Sequence, residues 1–493
     1  MTNTTCHAFD AHDALGLDDA CALTQKLQQG ETTATELVEA ALKRLQAVEP
    51  VLHATVCMQA EKALEQAKQL DRLGQYKQFQ GLPAFLKDNL DLQGLPTRHG
   101  SGAMPVQIRQ SNSLVTKQLM DTGLLLLGKT KLPEFGLTAT TEYSQAEPAH
   151  NPWHVEHSTG GSSGGSAALV AAGVVPLAHA NDGGGSIRIP AACCGLVGLK
   201  PSRGRLQVNE MAKSLPINIV SDGVVSRSVR DTAAFFAYAE THHRNPTLPA
   251  LGHITKPGQK RLTIGMFTRK VNGLESHSEC VQAVHQVAKL CRELGHEVQE
   301  VELPIPAQFA DDFLLYWGML AASIAHLGRL AVDRRMNPKQ LEPLTHGLAR
   351  HFTRNLHKFP FALRRLHQFE RQYAKVFENL DLLLSPTLGH PAPPLGHLAL
   401  DLPFEEARHR LVNYATFTAA QNVSGAPAIS LPMHHTPEGV PVGVHFAAAM
   451  GHDFRLLELA LELEEAQAFR MLHGKAHRLS DLTLAQGIKP MAL

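Results

Sequence analysis

Apolar and polar positions near the start of the chain alternate with the period of a helix. Residues 33–48, TATELVEAALKRLQAV, place apolar side chains three and four positions apart. Thr33 followed three positions later by Glu36 has the spacing of a capping box, which starts a helix. Residues 59–75 repeat the amphipathic pattern. We therefore predict two helices within residues 33–75.

The pattern changes after Gly81 and again after about residue 205. Residues 81–205 are rich in glycine, serine and short apolar runs. The rest of the chain alternates between the periodicity of a strand and that of a helix. Strands are predicted at 261–268, 298–303, 381–385, 428–431 and 440–446. Helices are predicted at 278–294, over most of 306–380 and at 454–468. Strands that alternate with helices predict an α/β fold. No repeat, low-complexity linker or charge run marks a domain boundary.

Composition excludes several classes of function. The 493 residues include 46 Lys+Arg and 46 Asp+Glu, so the formal net charge is zero. A neutral chain supplies no field for holding nucleic acid or an anionic membrane. The N-terminal segment lacks a signal-peptide pattern, and no uninterrupted apolar run is long enough to span a bilayer. We therefore expect a soluble protein.

The cysteines and histidines carry less information than their numbers suggest. Seven cysteines without a CxxC motif do not form a disulfide framework, so we expect a reducing, cytoplasmic compartment. Twenty-eight histidines contain no HExxH motif and no cluster with metal-ligand spacing. We predict no metal site and no cofactor. The sequence leaves a homodimer open.

A formal phosphate-loop pattern occurs at residues 123–130, GLLLLGKT. In a phosphate loop the four intervening residues form a turn and a helix starts at the lysine. Four leucines instead predict a buried strand, and the proline at 133 disfavours a helix just before it. We reject nucleotide binding.

The pattern GxSxG occurs twice in overlap, and one match centres on Ser163. A nucleophile elbow needs an apolar strand before the serine, with Asp or Glu and then His later in the chain. The preceding segment NPWHVEHSTGG is not an apolar strand. A Ser-His-Asp esterase using Ser163 remains an alternative.

A second glycine-rich segment, NDGGGSIRIP at residues 181–190, holds the strongest signal. Three glycines before Ser186 allow backbone amides to converge on an anion, as an oxyanion hole requires. A serine nucleophile needs a base, and Lys87 follows the apolar run at 82–86. Burial would lower the pKa of that lysine from ~10.4 toward ~7–8, which takes roughly 4 kcal/mol.

Several motifs together resemble those of the amidase signature hydrolases. In chain order they are GLPAFLKDNLD, GKTKLPEFG, NPWHVEHSTGGSSGGSAA, GGGSIRIPAACCGLVGLKPSRGR, DLLLSPT and NVSGAPAISLP. The resemblance runs from about residue 33 to about residue 470. It implies one large α/β domain over 1–493, with a mixed twisted sheet and helices on both faces. Residues 33–75 would be N-terminal helices, 81–205 the catalytic core, and 206–493 the remaining sheet and the pocket helices.

The resemblance also implies roles for individual residues. Lys87 falls on the catalytic lysine, Ser162 on a bridging serine that follows a cis peptide, and Ser186 on the acylated nucleophile. The oxyanion hole would be formed by amides of Gly183, Gly184, Gly185 and Ser186, with support from Ser163, Asp182 and Arg188. The family often has Thr-Asp-Thr before its Gly-Gly-Ser, where this chain has Asn181-Asp182-Gly183.

The implied function is hydrolysis of a C–N bond in a small linear or cyclic carboxamide, carbamate or anilide. Within the family, AHANDGGGSIRIPA resembles the branch of 6-aminohexanoate cyclic-dimer hydrolases. Pocket walls are expected within 306–450, with Phe313, Tyr316, Trp317 and Ile324 as candidates. The alternatives are a glutamine-hydrolysing subunit of a transamidating complex and a non-catalytic binding protein.

Overall fold

Strands and helices alternate along most of the chain. The structure is a computed structural model that describes residues 5–302 and 304–473. Its strands are β1 Thr55–Met58, β2 Pro83–Lys87, β3 Leu125–Thr130, β4 His150–Asn151, β5 His154–Ser158, β6 Leu177–Asp182, β7 Val197–Lys200, β8 Ser221–Ser226, β9 Thr263–Met266, β10 Glu297–Glu300, β11 Leu382–Pro386, β12 Ala428–His435 and β13 Pro441–Ala448.

Most of the helices lie before residue 81 or after residue 205. They are α1 Ala20–Gln29, α2 Ala34–Leu52, α3 Ala60–Leu73, α4 Leu114–Asp121, α5 Gly164–Ala171, α6 Arg188–Cys194, α7 Glu210–Lys213, α8 Val229–His242, α9 Ser278–Glu293, α10 Phe309–Ala331, α11 Pro343–Arg354, α12 Phe359–Val376, α13 Phe404–Tyr414, α14 Ala419–Ser424 and α15 Asp453–Ala466.

The main sheet is mixed. Its strand order is β10-β9-β11-β13-β12-β7-β8-β6. Strand β9 pairs in parallel with β10 and β11, and every other neighbouring pair is antiparallel. With helices on both faces of this sheet, the α/β fold class and the single domain are confirmed. The predicted domain limits 1 and 493 lie outside the described residues.

The predicted capping box starts α2. The Thr33 hydroxyl accepts from the Glu36 N–H at 3.2 Å, and the Glu36 carboxylate accepts from the Thr33 N–H at 2.9 Å. Two otherwise unpaired donors of the first helical turn are satisfied in this way. The strand expected at 298–303 is observed at Glu297–Glu300, where its pairing with β9 ends at Met266. Residue 303 lies outside the described residues.

The rejected phosphate-loop pattern forms a strand, as its leucines predict. Residues of β3 lie between β1 and β2 in a three-stranded sheet, and all six are buried. The Lys129 ammonium is paired with the buried Asp88 carboxylate at 2.5 Å and donates to the Pro96 carbonyl at 2.8 Å. This lysine therefore stabilises a loop and is not presented to a phosphate.

Helix α10 forms a layer with α11 and α12 beside the main sheet. Within the described residues it is the one helix whose length and composition would allow it to cross a membrane. Its sequence includes Asp311, Asp312 and Arg329, and the Asp312 carboxylate is bonded to Arg365 of α12 at 2.5 and 2.7 Å. These contacts are typical of a helix that packs within a globular domain.

Candidate active site

Three chain segments bring the predicted reacting groups together. Lys87 is the last residue of β2, Ser162 lies just before α5, and Ser186 lies between β6 and α6. Strand β2 approaches the edge strand β6, where the Lys87 N–H donates to Nδ1 of His179 at 3.3 Å. The Gly161–Ser162 peptide bond is cis, as the family resemblance implies.

The Lys87 side chain is fully buried and has three polar partners. Its Nζ lies 2.7 Å from the Ser162 Oγ, 2.9 Å from the Ser163 Oγ and 2.6 Å from the Asn181 Oδ1. Burial lowers the pKa of the Lys87 ammonium to about 7, although the Asp222 and Asp182 carboxylates act to raise it. A substantial fraction of this amine is therefore neutral near pH 7.

Ser163 occupies a supporting position. Its hydroxyl donates to the Ser186 carbonyl oxygen at 2.6 Å and also lies 3.3 Å from the Asn181 carbonyl oxygen. Since its own proton is used on the backbone, the Ser163 Oγ accepts from Lys87. This contact links the lysine to the segment that carries Ser186.

Among the described residues, no histidine is hydrogen-bonded to the Ser163 hydroxyl, as the esterase alternative would require. Strand β5 precedes the motif, but as expected it is not apolar, and it belongs to a separate two-stranded ribbon with β4. His179 is paired with Asp222 through Nε2 at 3.1 Å, and its Nδ1 accepts the Lys87 N–H. Both imidazole nitrogens are therefore occupied, and neither contacts a serine hydroxyl.

Asp182 and Arg188 form a buried, bidentate ion pair beneath the glycine loop. The Arg188 Nε and Nη2 each lie 2.9 Å from a carboxylate oxygen of Asp182. Although burial acts to raise it, Arg188 holds the pKa of the Asp182 carboxyl well below its usual range. The same carboxylate accepts the N–H groups of Gly185 at 2.7 Å and Ile187 at 3.1 Å, so it shapes the loop on both sides of Ser186.

One predicted oxyanion donor is therefore already engaged. The Gly185 N–H points to Asp182, and its φ of 131° together with the nearby Thr418 hydroxyl requires a glycine. Within the described part of the chain, the amides of Gly183, Gly184 and Ser186 make no hydrogen bond. These three donors, rather than Gly185, are available to a ligand.

Sequence reasoning missed several residues that hold this loop. Thr418 donates to the Gly184 carbonyl at 2.6 Å, and the Asn422 side-chain amide donates to the Asp182 carboxylate at 2.8 Å. Asn181, which stands where the family often has threonine, contacts Lys87 directly. Asn181 and Asn422 had a sequence signal, because they begin the segments NDGGGSIRIP and NVSGAPAISLP, whereas Thr418 had none.

Two cavities open at Ser186. The first cavity lies between α10 and α13 and is lined by residues such as Ile189, Phe309, Phe313, Leu314, Leu348 and Leu411. The second cavity contains Lys87, Ser162 and Asn181 and extends along α10 past Leu320 and Ile324. Phe313, Trp317 and Ile324 thus line the site as expected. Tyr316 does not, because it is buried and its hydroxyl donates to the Ile217 carbonyl at 2.6 Å.

The absence of ligand spacing in the sequence did not exclude a cluster formed by the fold. Among the described residues, His53, Glu147 and His150 place potential ligand atoms within 4.8 Å of one another. None of the three lines the first or the second cavity. The group is therefore separate from the Ser186 site.

Comparison with known proteins shows the family of the chain. Residues 36–457 match the amidase family model. A Mycobacterium tuberculosis protein named "Putative amidase AmiC" is 46% identical over 469 residues, which cover 95% of this chain and 98% of that protein. The 6-aminohexanoate-cyclic-dimer hydrolase of a Pseudomonas species is 33% identical over 91% of this chain and 94% of its own length.

A solved structure of a 6-aminohexanoate cyclic dimer hydrolase superimposes with a TM-score of 0.80 at 29% identity. The superposition covers 92% of this chain and 97% of the chain of the solved structure. The chain belongs to the amidase family, as its motifs indicate. It is a hydrolase that acts on the C–N bonds of amides.

Proposed function

We propose that the protein hydrolyses small-molecule carboxamides through an acyl-enzyme on Ser186, with Ser162 and Lys87 as the proton relay. The observation that carries the proposal is the buried contact of 2.7 Å between the Lys87 Nζ and the Ser162 Oγ, beside the glycine loop of Ser186. Linear amides, cyclic amides, anilides and carbamates all present the carbonyl and leaving group that this chemistry needs.

The hydrogen bonds around Lys87 orient its lone pair. Asn181 Oδ1 can only accept, and Ser163 has used its proton on the Ser186 carbonyl oxygen. The two N–H groups of the neutral amine therefore point to Asn181 and Ser163. The lone pair is left facing the Ser162 hydroxyl, which is the arrangement that a base requires.

Acylation then follows in two steps, each with a proton relay through Ser162. The Ser186 Oγ forms a bond to the substrate carbonyl carbon while its proton passes to Ser162 and the Ser162 proton passes to Lys87. The carbonyl oxygen gains negative charge and accepts from the amides of Gly183, Gly184 and Ser186. The C–N bond breaks as Lys87 returns a proton through Ser162 to the leaving nitrogen. The amine departs and the acyl group stays on Ser186 as an ester.

Deacylation repeats the route with water. Water gives one proton through Ser162 to Lys87 as its oxygen attacks the ester carbon, and that proton returns to the Ser186 Oγ as the acid leaves. The products are one amine and one carboxylic acid, and the enzyme is restored. No step calls for a metal or an organic cofactor.

Compartment and assembly are part of the same proposal. All seven cysteines are free thiols, which supports a reducing, cytoplasmic location. The site is assembled from residues of one chain, so a homodimer would not be needed to complete it.

Labelling with a fluorophosphonate, read by intact-protein mass spectrometry, tests the proposal. The wild-type protein should gain one adduct, Ser186→Ala should gain none, and Lys87→Ala and Ser162→Ala should label far more slowly. Ser163→Ala is the matched control in the adjacent residue and should still label. Labelling of Ser186→Ala that is lost in Ser163→Ala would overturn the assignment in favour of the esterase elbow.

A further inference from the structure

Four residues line both cavities where they meet: Gly136, Leu137, Ser186 and Trp317. The first cavity has an empty volume of 860 Å³ and the second one of 1820 Å³, and both values include the open space at the mouth of the cavity. A secondary amide has two substituents, one on the carbonyl carbon and one on the nitrogen. Each cavity at Ser186 therefore offers space for one of them.

The linings of the two cavities differ in charge. Among the described residues, the first cavity is lined by no ionisable side chain. The second is lined by Lys87 and His99, together with polar groups such as Asn181 and Ser323. Burial lowers the pKa of His99 to about 4, so this imidazole is neutral at pH 7. The first cavity thus offers an apolar surface, and the second offers both polar and apolar contacts.

The position of the proton donor distinguishes the two substituents. During breakdown of the tetrahedral intermediate, the leaving nitrogen must receive a proton from Ser162. Ser162 and Lys87 line the second cavity and not the first. The nitrogen, and the group it carries, must therefore face the second cavity, and the acyl group must face the first.

Two aromatic rings of α10 lie against the loop that would bind the carbonyl oxygen. A methyl group built on Gly183 would lie 3.5 Å from the Trp317 ring, and one on Gly184 would lie 3.4 Å from the Phe313 ring. The Trp317 indole is held in place by donating to the Leu137 carbonyl at 2.9 Å. The carbon next to the reacting carbonyl would thus be in contact with apolar side chains.

We infer that the substrates are amides of uncharged, apolar carboxylic acids, and this inference rests on the proposed acyl-enzyme at Ser186. The acyl group binds in the first cavity and the amine in the second. Short to medium alkyl chains and single aromatic rings match the lining. Glutamine does not, because its α-ammonium and α-carboxylate would be desolvated there without a partner. The inference thus separates this chain from a transamidating subunit.

A series of anilides tests the acyl side. p-Nitroanilides of acetic, hexanoic, benzoic, succinic and γ-linked glutamic acid share one leaving group. We expect kcat/KM for the hexanoyl or benzoyl anilide to exceed that for the acetyl anilide at least tenfold. The values for the succinyl and γ-glutamyl anilides should be lower than that for the acetyl anilide. γ-Glutamyl or free glutamine turned over as fast as the hexanoyl compound would overturn the apolar class.

Matched charge substitutions on α10 test the assignment of the cavities. Leu314→Arg in the first cavity should lower hexanoyl turnover and raise the succinyl-to-hexanoyl ratio at least tenfold. Leu320→Arg in the second cavity should leave that ratio unchanged and instead favour anilides with a carboxylate on the aniline ring. The opposite pattern would reverse the assignment. If Leu314→Arg does not fold, Leu314→Trp replaces it, since it fills the first cavity without a charge. This variant should slow turnover of the hexanoyl and benzoyl anilides more than that of the acetyl anilide.

Fluorophosphonate labelling separates this inference from the proposed function. Every folded variant should still label at Ser186, since the reacting groups are untouched. If every variant still labels but kcat/KM is the same for all the acyl groups of the anilide series, only the substrate class is refuted. Loss of Ser186-dependent labelling in the wild-type protein would refute the proposed function, and the inference would fail with it.

Discussion

The Lys87 Nζ lies 2.7 Å from the Ser162 Oγ, and both side chains are withdrawn from solvent. A second buried lysine, Lys200, also has its pKa lowered by burial to about 7, but its Nζ contacts the Pro201 carbonyl at 2.8 Å. A lowered pKa is therefore not enough to identify a base. The contact with a serine hydroxyl distinguishes Lys87.

The acylation rate should rise with pH. Burial lowers the pKa of Lys87 to about 7, and in the proposed mechanism the neutral amine is the active form. The value of kcat/KM should therefore increase about tenfold per pH unit below 7 and level off above 8. Stopped-flow or steady-state rates with a neutral anilide from pH 5.5 to 9 would measure this. Lys87→Arg should be nearly inactive at every pH, whereas Lys200→Gln should keep the midpoint. A flat wild-type profile would contradict the role of Lys87.

Replacing Asn181 by aspartate should move that midpoint upward. The Asn181 Oδ1 accepts from the Lys87 Nζ at 2.6 Å, and a carboxylate in its place would favour the ammonium form of the lysine. We expect a midpoint at least one pH unit higher, with lower activity at pH 7 and recovery at pH 9. Asn413→Asp, at a half-buried position that lines neither cavity, is the control and should leave the profile unchanged. Equal loss of activity at all pH values would argue against the contact.

Asp182→Asn should damage stability and activity together. The change leaves the buried Arg188 guanidinium without its carboxylate and replaces one of the two acceptor oxygens that hold the loop on both sides of Ser186 by a donor. We expect the free energy of unfolding to fall by about 3–5 kcal/mol. Urea denaturation would measure it. Glu275→Gln breaks the exposed pair with Arg269 and should change stability by less than about 1 kcal/mol.

Gly185→Ala should impair the oxyanion loop specifically. A Cβ at this residue would lie 2.4 Å from the Thr418 Oγ1, and its φ of 131° is unfavourable for alanine. We expect kcat/KM to fall about 100-fold or more through displacement of the neighbouring amides. Gly94→Ala, at a φ of 96° with open space around the Cβ, should retain activity. Similar losses in both variants would point to a general loss of stability.

Glu464→Gln should stabilise the protein at alkaline pH. Burial raises the pKa of the Glu464 carboxyl to about 8, and the carboxylates of Asp19 and Asp231 add to this. The folded state therefore holds a proton that the unfolded chain has lost, and wild-type stability falls as pH rises from the usual value of 4.5 toward 8. Each unit between the two pKa values corresponds to about 1.4 kcal/mol. Thermal unfolding at pH 5 and pH 9 should show a gain for the variant only at pH 9.

Local patterns predicted much of the secondary structure because they reflect short-range physics. The period of apolar residues located α2, α9 and α15, and the leucine run at 124–127 predicted the buried strand β3. The capping box at Thr33 and Glu36 needs only four consecutive residues, so the sequence contains all of its geometry. The strand ends were less certain, as β10 shows, because pairing with a neighbouring strand decides them.

The sequence by itself determined the family of this protein and the residues of the proposed relay. Its ordered motifs contain Lys87, Ser162 and Ser186, and they determine the family to which the chain belongs. Only the tertiary structure decided which groups serve those residues, since Asn181 contacts Lys87 from β6, and Thr418 and Asn422 reach the loop of Ser186 from α14 and the residue before it. It also placed apolar walls on one side of Ser186. Contacts of this kind depend on how distant segments pack, and local sequence does not encode them.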